Sequence, residues 1–253
     1  MKLLAVDTSS DACSVAVSSE DGQVLELHEV CPRRHSERLL PMIDALLADA
    51  GLRPTELDGL VLGAGPGSFT GVRLGTAAVQ GLAWSLDKPV VCISSLAATA
   101  HAVARELHDA GHAMDLLCVA MDARMGEVYF AAYKPGSAVT VTPGGGAVEA
   151  GPQPGLSVLR SECVSVPERL DPLPDRSSGL RVAIGSGWSM HGASLRASLM
   201  IEPDRLFESA LPHAFDLVLL GQQAWRSGQV RAAAEVHPLY LRNEVATPRN
   251  RPG

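Results

Sequence analysis

Residues 3–17 read Leu3-Leu4-Ala5-Val6, then Asp7-Thr8-Ser9-Ser10-Asp11, then Ala12-Cys13-Ser14-Val15-Ala16-Val17. An apolar run, a short polar turn and a returning alternating run predict strand, turn and strand, with Asp7 where the first strand ends. Far along the chain the plan returns: Leu116 to Met121, then Asp122-Ala123-Arg124-Met125-Gly126, then Glu127 to Tyr133. Two hairpins can match by chance, but a repeated apolar strand, Asp turn and returning strand predicts two domains built on one plan.

Composition bounds what such a pair of domains can be. The chain has 253 residues, 46% hydrophobic, 19% charged and 4% aromatic. At about 150 residues per domain, one large or two small domains fit, and charge below the roughly 25% of average soluble domains leaves a sizeable core. A chain disordered throughout is excluded. Only four apolar residues separate Lys2 from Asp7, and the longest charge-free stretch, residues 89–104, is broken by Ser94, Ser95, Thr99 and His101. Neither a signal peptide nor a membrane span is expected, and a cytoplasmic protein is. The five cysteines form no CxxC pair and mostly sit in apolar runs, which predicts reduced core thiols with neither a disulfide frame nor a zinc site. With 28 Asp+Glu against 21 Lys+Arg, a net charge of −7 argues against a free-standing nucleic-acid binder. The local exception is the stretch from Arg226 onward, with five Arg against two Glu. There a disordered basic tail over residues 247–253 is favoured over a phosphate contact.

Working outward from the first hairpin, residues 23–30 predict a third strand. Residues 36–50 predict a helix, with Leu39, Ile43, Leu46, Leu47 and Ala50 at helical spacing and Gly51 as its stop. Pro41 is too deep for a first-turn proline, so the helix is either kinked or begins later. Strand 59–63, the loop Ala64-Gly65-Pro66-Gly67-Ser68-Phe69, helix 70–86, strand 90–93 and helix 95–107 complete a first domain over residues 1–110. The second domain takes residues 111–230 and a C-terminal segment takes 231–253. Within the second, residues 135–179 hold seven prolines and Gly144-Gly145-Gly146, which predicts irregular surface with one short strand at 161–166. Strand 181–184, followed by Gly185-Ser186-Gly187-Trp188, and helix 214–227 come next.

The sharpest local signal is the span 59–104, which has three charges and glycines at 63, 65, 67, 71 and 75. Strand, Gly-rich loop and helix is a layout that aims backbone N–H groups at phosphate. Yet Gly71 is followed by Val72-Arg73 where a phosphate loop needs Lys and a hydroxyl, and no GxGxxG frame fits. The glycines have another use: Gly71, Gly75, Ala78 and Leu82 fall on one helix face, bare enough for a close neighbour from the same chain or from another molecule. Catalytic templates are absent or weak. No Gly-x-Ser-x-Gly elbow occurs. His108 and His112 have metal-pair spacing, but Gly111 ends the helix between them. His35, among Arg33, Arg34 and Arg38, reads as a solvated basic helix start. Asp7 could hold a hydrated magnesium ion beside a phosphate, although Thr8-Ser9-Ser10 lacks the glycine for close approach.

These blocks resemble the TsaB (YeaZ) family, the bacterial partner subunit in making threonylcarbamoyladenosine on tRNA. The resemblance runs from Leu3-Leu4-Ala5-Val6-Asp7-Thr8-Ser9 through His35-Ser36-Glu37-Arg38-Leu39-Leu40-Pro41, the block from Gly65 to Gly75 and Asp122-Ala123-Arg124-Met125-Gly126-Glu127-Val128-Tyr129 to Pro238-Leu239-Tyr240-Leu241-Arg242. It implies an α/β fold of the actin/Hsp70/sugar-kinase (ASKHA) class, two related domains of mixed sheet with flanking helices. It also implies a non-catalytic activator of the transfer of a threonylcarbamoyl group to N6 of adenosine 37 in tRNAs reading ANN codons. The catalytic paralogue, TsaD, carries a metal-binding HxxxH after the corresponding strand, where this chain has Ser95 and Thr99, and a hydroxyl does not replace an imidazole on a transition metal. The implied partners are TsaD and the ATPase TsaE, a second copy of the chain when alone, and tRNA only through the complex. The implied interface comprises His35, Leu39, Ile43, Leu47, Phe69, Gly71, Arg73, Gly75, Ala78 and Leu82. Asp7, Thr8 and Ser9 are then a vestigial nucleotide turn, with ATP or ADP possible at the complex interface and no catalytic or metal residue in this chain. The alternative is an active small-molecule kinase or ATPase of the same fold. A metalloprotease fails because Asp109 stands where HExxH needs Glu.

Overall fold

The computed structural model describes residues 1–136, 155–173 and 179–241. Strand β1 (Leu3–Asp7) is buried along its whole length, as a strand covered on both faces must be. It centres a five-stranded sheet, flanked on one side by β2 (Ala12–Ser18) and β3 (Val24–Val30) and on the other by β4 (Gly59–Gly63) and β5 (Val90–Ile93). β1, β2 and β3 pair antiparallel, whereas β4 and β5 join in parallel. Period-two alternation divides the core. Leu4, Val6, Leu60 and Leu62 face α1 (His35–Asp49) and α2 (Phe69–Leu86) in one cluster. Leu3, Ala5, Val61 and Val91 belong to a cluster on the other face. After β5 the chain enters α3 (Ser95–Asp109).

The second sheet repeats this plan. β6 (Met114–Arg124) is its centre, β7 (Glu127–Gly136) and β8 (Gly155–Ser165) pair antiparallel beside it, and β9 (Leu180–Ile184) and β10 (Arg205–Phe207) lie parallel on the other side. α4 (Ser186–Leu199) joins β9 to β10 as α2 joins β4 to β5, and α5 (Ala214–Arg226) follows β10 as α3 follows β5. The repeated hairpin read from the sequence is therefore a repeated domain plan, and the fold is of the ASKHA class. Among the described residues, a 3-10 turn at Pro167–Arg169 stands where α1 stands in the first half.

The last helix of each half is exchanged. α3 buries Leu96, Ala100, Val103 and Leu107 against Leu117, Val119, Ala131 and Val182 of the second sheet. α5 buries Ala214, Leu217 and Val218 on the first sheet, where Gly59 leaves room for the Trp225 ring. Arg231 then bridges to Val90. This corrects the sequence division at 111–230: residues 214–226 pack with the first domain. Order along the chain cannot show an exchange made in space. The two helices meet where His101 Nδ1 lies 2.6 Å from Asp216 Oδ1, both fully buried, and Arg105 donates to both Asp216 oxygens at 3.2 Å.

Local outcomes follow from the same physics. α1 begins at His35 and runs through Pro41, so the later start is not taken. The proline sits on the exposed face, where water can serve the carbonyl that loses its partner. Gly51, at φ +65°, ends the helix in the left-handed region. The irregular surface expected over 135–179 is corrected for its middle, because β8 pairs with β7 from Gly155 to Ser165. Gly144-Gly145-Gly146 and residues 247–253 lie outside the described residues. All five cysteines are free thiols. No described helix is long and apolar enough to cross a membrane.

Candidate functional site: the Asp7 turn and the outer face of α1 and α2

β1 delivers Asp7 to the sheet end, where its carboxylate is 1% exposed. Oδ1 accepts from the Ser9 backbone N–H and hydroxyl, both at 2.8 Å, and Oδ2 accepts from Ser95 Oγ at 2.9 Å. Burial pushes the Asp7 carboxyl up to about 6, against those hydrogen bonds, which hold it down. The glycine-rich block closes on this turn. A β-carbon at Gly67 would overlap the Ser9 carbonyl oxygen and one at Gly71 the Thr8 carbonyl oxygen, while one at Gly75 would sit 2.6 Å from Thr8 Oγ1. Thr8 Oγ1 donates to the Gly71 carbonyl at 2.7 Å, and the Ser68 N–H donates to the Ser9 carbonyl at 2.6 Å. The Gly65–Pro66 peptide is cis.

Of the two uses the sequence left open for these glycines, the chain makes the internal one. Asp7, Thr8 and Ser9, expected as a vestigial nucleotide turn, are all buried beneath the block. Ser95 and Thr99 are committed too: Ser95 Oγ to Asp7, and Thr99 Oγ1 to the Ser95 carbonyl at 2.7 Å. His108 lies in the last turn of α3 and His112 beyond it, past Gly111 at φ +78°, so their rings share no helix face.

The residues expected at the interface divide by burial. Leu39, Ile43 and Leu47 belong to the first core, Gly71 and Gly75 press on Thr8, and Ala78 and Leu82 pack half-buried against that core. Leu39, Ile43 and Leu47 are therefore spent on the chain's own core, while Ala78 and Leu82 keep part of their surface outside it. His35 is half-buried, with Nε2 3.2 Å from the Ala12 carbonyl. Phe69 and Arg73 are exposed, the guanidinium lying 3.2 Å over the Phe69 ring and 5.1 Å from that of Tyr240. The outward faces are the opposite ones. On α2, Phe69, Arg73, Ala77, Gly81 and Trp84 follow helical spacing, with Phe69 64% and Trp84 73% exposed. On α1, Leu40 is 54% exposed. Periodicity had located an apolar face but not which side of the helix was already occupied. Gly81 marks that outer side: among the described residues a β-carbon there meets nothing within 4 Å, so none of them requires the glycine.

A buried Asp turn at the end of the central strand, repeated five-stranded sheets and exchanged terminal helices define a member of the ASKHA class. Comparison with known proteins narrows the class. The model of the family TsaD, tRNA N6-adenosine threonylcarbamoyltransferase, matches residues 27–146. The tRNA threonylcarbamoyladenosine biosynthesis protein TsaB of Haemophilus influenzae is 38% identical over 97% of this chain and 95% of its own length. The Escherichia coli protein of that name is 35% identical over 97% and 96%. Among solved structures, YeaZ from Pseudomonas aeruginosa matches with a TM-score of 0.78 at 37% identity, covering 95% of this chain and 99% of its own. The chain belongs to the TsaB family.

Proposed function

We propose that this chain is the non-catalytic partner subunit of the bacterial assembly that transfers a threonylcarbamoyl group to N6 of adenosine 37 in tRNAs reading ANN codons, acting in the cytoplasm. It pairs with the catalytic paralogue TsaD, works with the ATPase TsaE, and pairs with a second copy of itself when alone. The outer faces of α1 and α2 carry the contact. Family membership supports the process. The observation that carries the partner role is Gly81, between Phe69 and Trp84 on an exposed helix face. A helix-interior glycine costs about 1 kcal/mol relative to alanine, and with no neighbour among the described residues to accommodate, a close approach from outside explains it.

The buried Asp7 turn and the committed hydroxyls of Ser95 and Thr99 support a role without chemistry of its own. ATP or ADP in the assembly then belongs at the interface between subunits. A formal charge of −7 fits a protein that reaches tRNA through its partner. Affinity capture from native extract tests the assignment. Recovery of an HxxxH-bearing paralogue is expected, and its absence contradicts the partner role. ATP turnover by the purified chain, abolished by Asp7→Ala, would instead establish the kinase or ATPase reading.

A further inference from the structure

Away from that face, Glu26 and His28 stand two residues apart on the edge strand β3, so both side chains leave one side of the sheet. His213, the residue before α5, arrives there from the far end of the chain. Its Nδ1 lies 3.1 Å from Glu26 Oε2, and its ring stacks on that of His28 with centroids 4.0 Å apart and planes 12° from parallel. One donor atom from each of the three residues lies within 4.8 Å of the others.

The surroundings are arranged as an outer shell would be. Glu26 Oε1 accepts from Ser14 Oγ at 2.9 Å and from the Phe215 N–H at 3.0 Å, and Ser14 Oγ in turn accepts from the Ala214 N–H at 2.9 Å. These bonds fix the carboxylate plane and leave Oε2 turned toward the imidazoles. Among the described residues His28 Nδ1 is buried and finds no hydrogen-bond partner, which costs free energy unless a ligand takes it up. A cavity of 620 Å³, lined by His28, His213, Arg105 and Phe207 among others, opens beside the group and has room for water.

We propose that Glu26, His28 and His213 bind a divalent transition-metal ion of the zinc class, with three protein ligands and a water on the cavity side. Two imidazoles and one carboxylate are a donor set that borderline cations prefer, whereas magnesium and calcium select oxygen ligands. Two rings stacked 4.0 Å apart with planes 12° from parallel cannot both turn an in-plane nitrogen to one ion, so one ring turns about its side-chain torsions as the ion binds and the stack is exchanged for two metal–nitrogen bonds. The bound ion ties the edge of the first sheet to the start of α5. This site does not depend on the proposed partner role.

Cobalt(II) titrated into the full chain, followed by its visible absorption, should saturate at one equivalent and be displaced by zinc but not by magnesium. His28→Gln and His213→Gln should each weaken binding by roughly tenfold or more, while His108→Gln leaves it unchanged. Should the variants fail to fold, a zinc titration of labelled wild-type protein decides. The ring signals of His28 and His213 must then shift while those of the other six of the eight histidines hold still. Absence of binding, retention of full affinity in both variants, or shifts at other histidines overturns the site.

Discussion

Gly71 and Thr8 are locked together across the junction between α2 and the first hairpin. The Thr8 hydroxyl donates to the Gly71 carbonyl at 2.7 Å, and a β-carbon at Gly71 would overlap the Thr8 carbonyl oxygen. The contact lies between two backbones, so no flexible side chain can yield. Gly71→Ala is expected to cost about 3 kcal/mol and lower the melting temperature by roughly 10 °C, measured by thermal and urea unfolding. A loss below about 1 kcal/mol contradicts the close approach.

Gly81 should behave in the opposite way. With no described residue within 4 Å of its missing β-carbon, Gly81→Ala is expected to stabilise the free chain by about 0.5–1 kcal/mol through helix propensity alone. The same unfolding measurement checks it, and a destabilised Gly81→Ala chain would reveal an internal neighbour.

Asp7 gives a pH signature. Its folded carboxyl is raised to about 6 from an ordinary value of 3.8, so the folded chain holds the proton more tightly than the unfolded one. The associated stability is present in full below about pH 4 and is lost as pH rises through about 6. Asp7→Asn, which keeps the shape and cannot ionise, should gain about 3 kcal/mol relative to wild type between those limits and stay level above them. A wild-type-to-Asn difference that does not change with pH contradicts the buried ionisation.

The junction between the domains rests on Asp216. It is fully buried and holds both His101 and Arg105, whose guanidinium also lies 4.6 Å over the Phe215 ring. Asp216→Ala leaves both partners unpaired and is expected to cost about 3–5 kcal/mol in urea unfolding. A cost under about 1 kcal/mol would show that apolar packing of α3 and α5 is sufficient.

What the sequence revealed was what neighbouring residues decide. The two Asp hairpins, β4, β5, α2 and α5 follow from alternation, helical spacing and glycine stops, so their places were legible. α4 was not: Ser186–Leu199 holds two glycines and four serines, departs from helical dihedrals at His191 and opens on a Gly-Ser-Gly, poor helix formers all. The same limit applies to α1. Spacing of Leu39, Ile43 and Leu47 marks an apolar face, and a chain uses such a face first for its own core. The exposed face had to be read from burial. Glu26, His28 and His213 are brought together only by tertiary contacts, and sequence spacing carries no trace of them.

The most direct measurement is the affinity of the purified chain for the catalytic paralogue TsaD, by calorimetry, before and after Trp84→Glu and Gly81→Leu. Both sites are exposed, so both variants should fold with wild-type circular dichroism. Each is expected to lose about 2 kcal/mol or more of binding, roughly 30-fold in Kd. Wild-type affinity in both folded variants would contradict the partner face on α2.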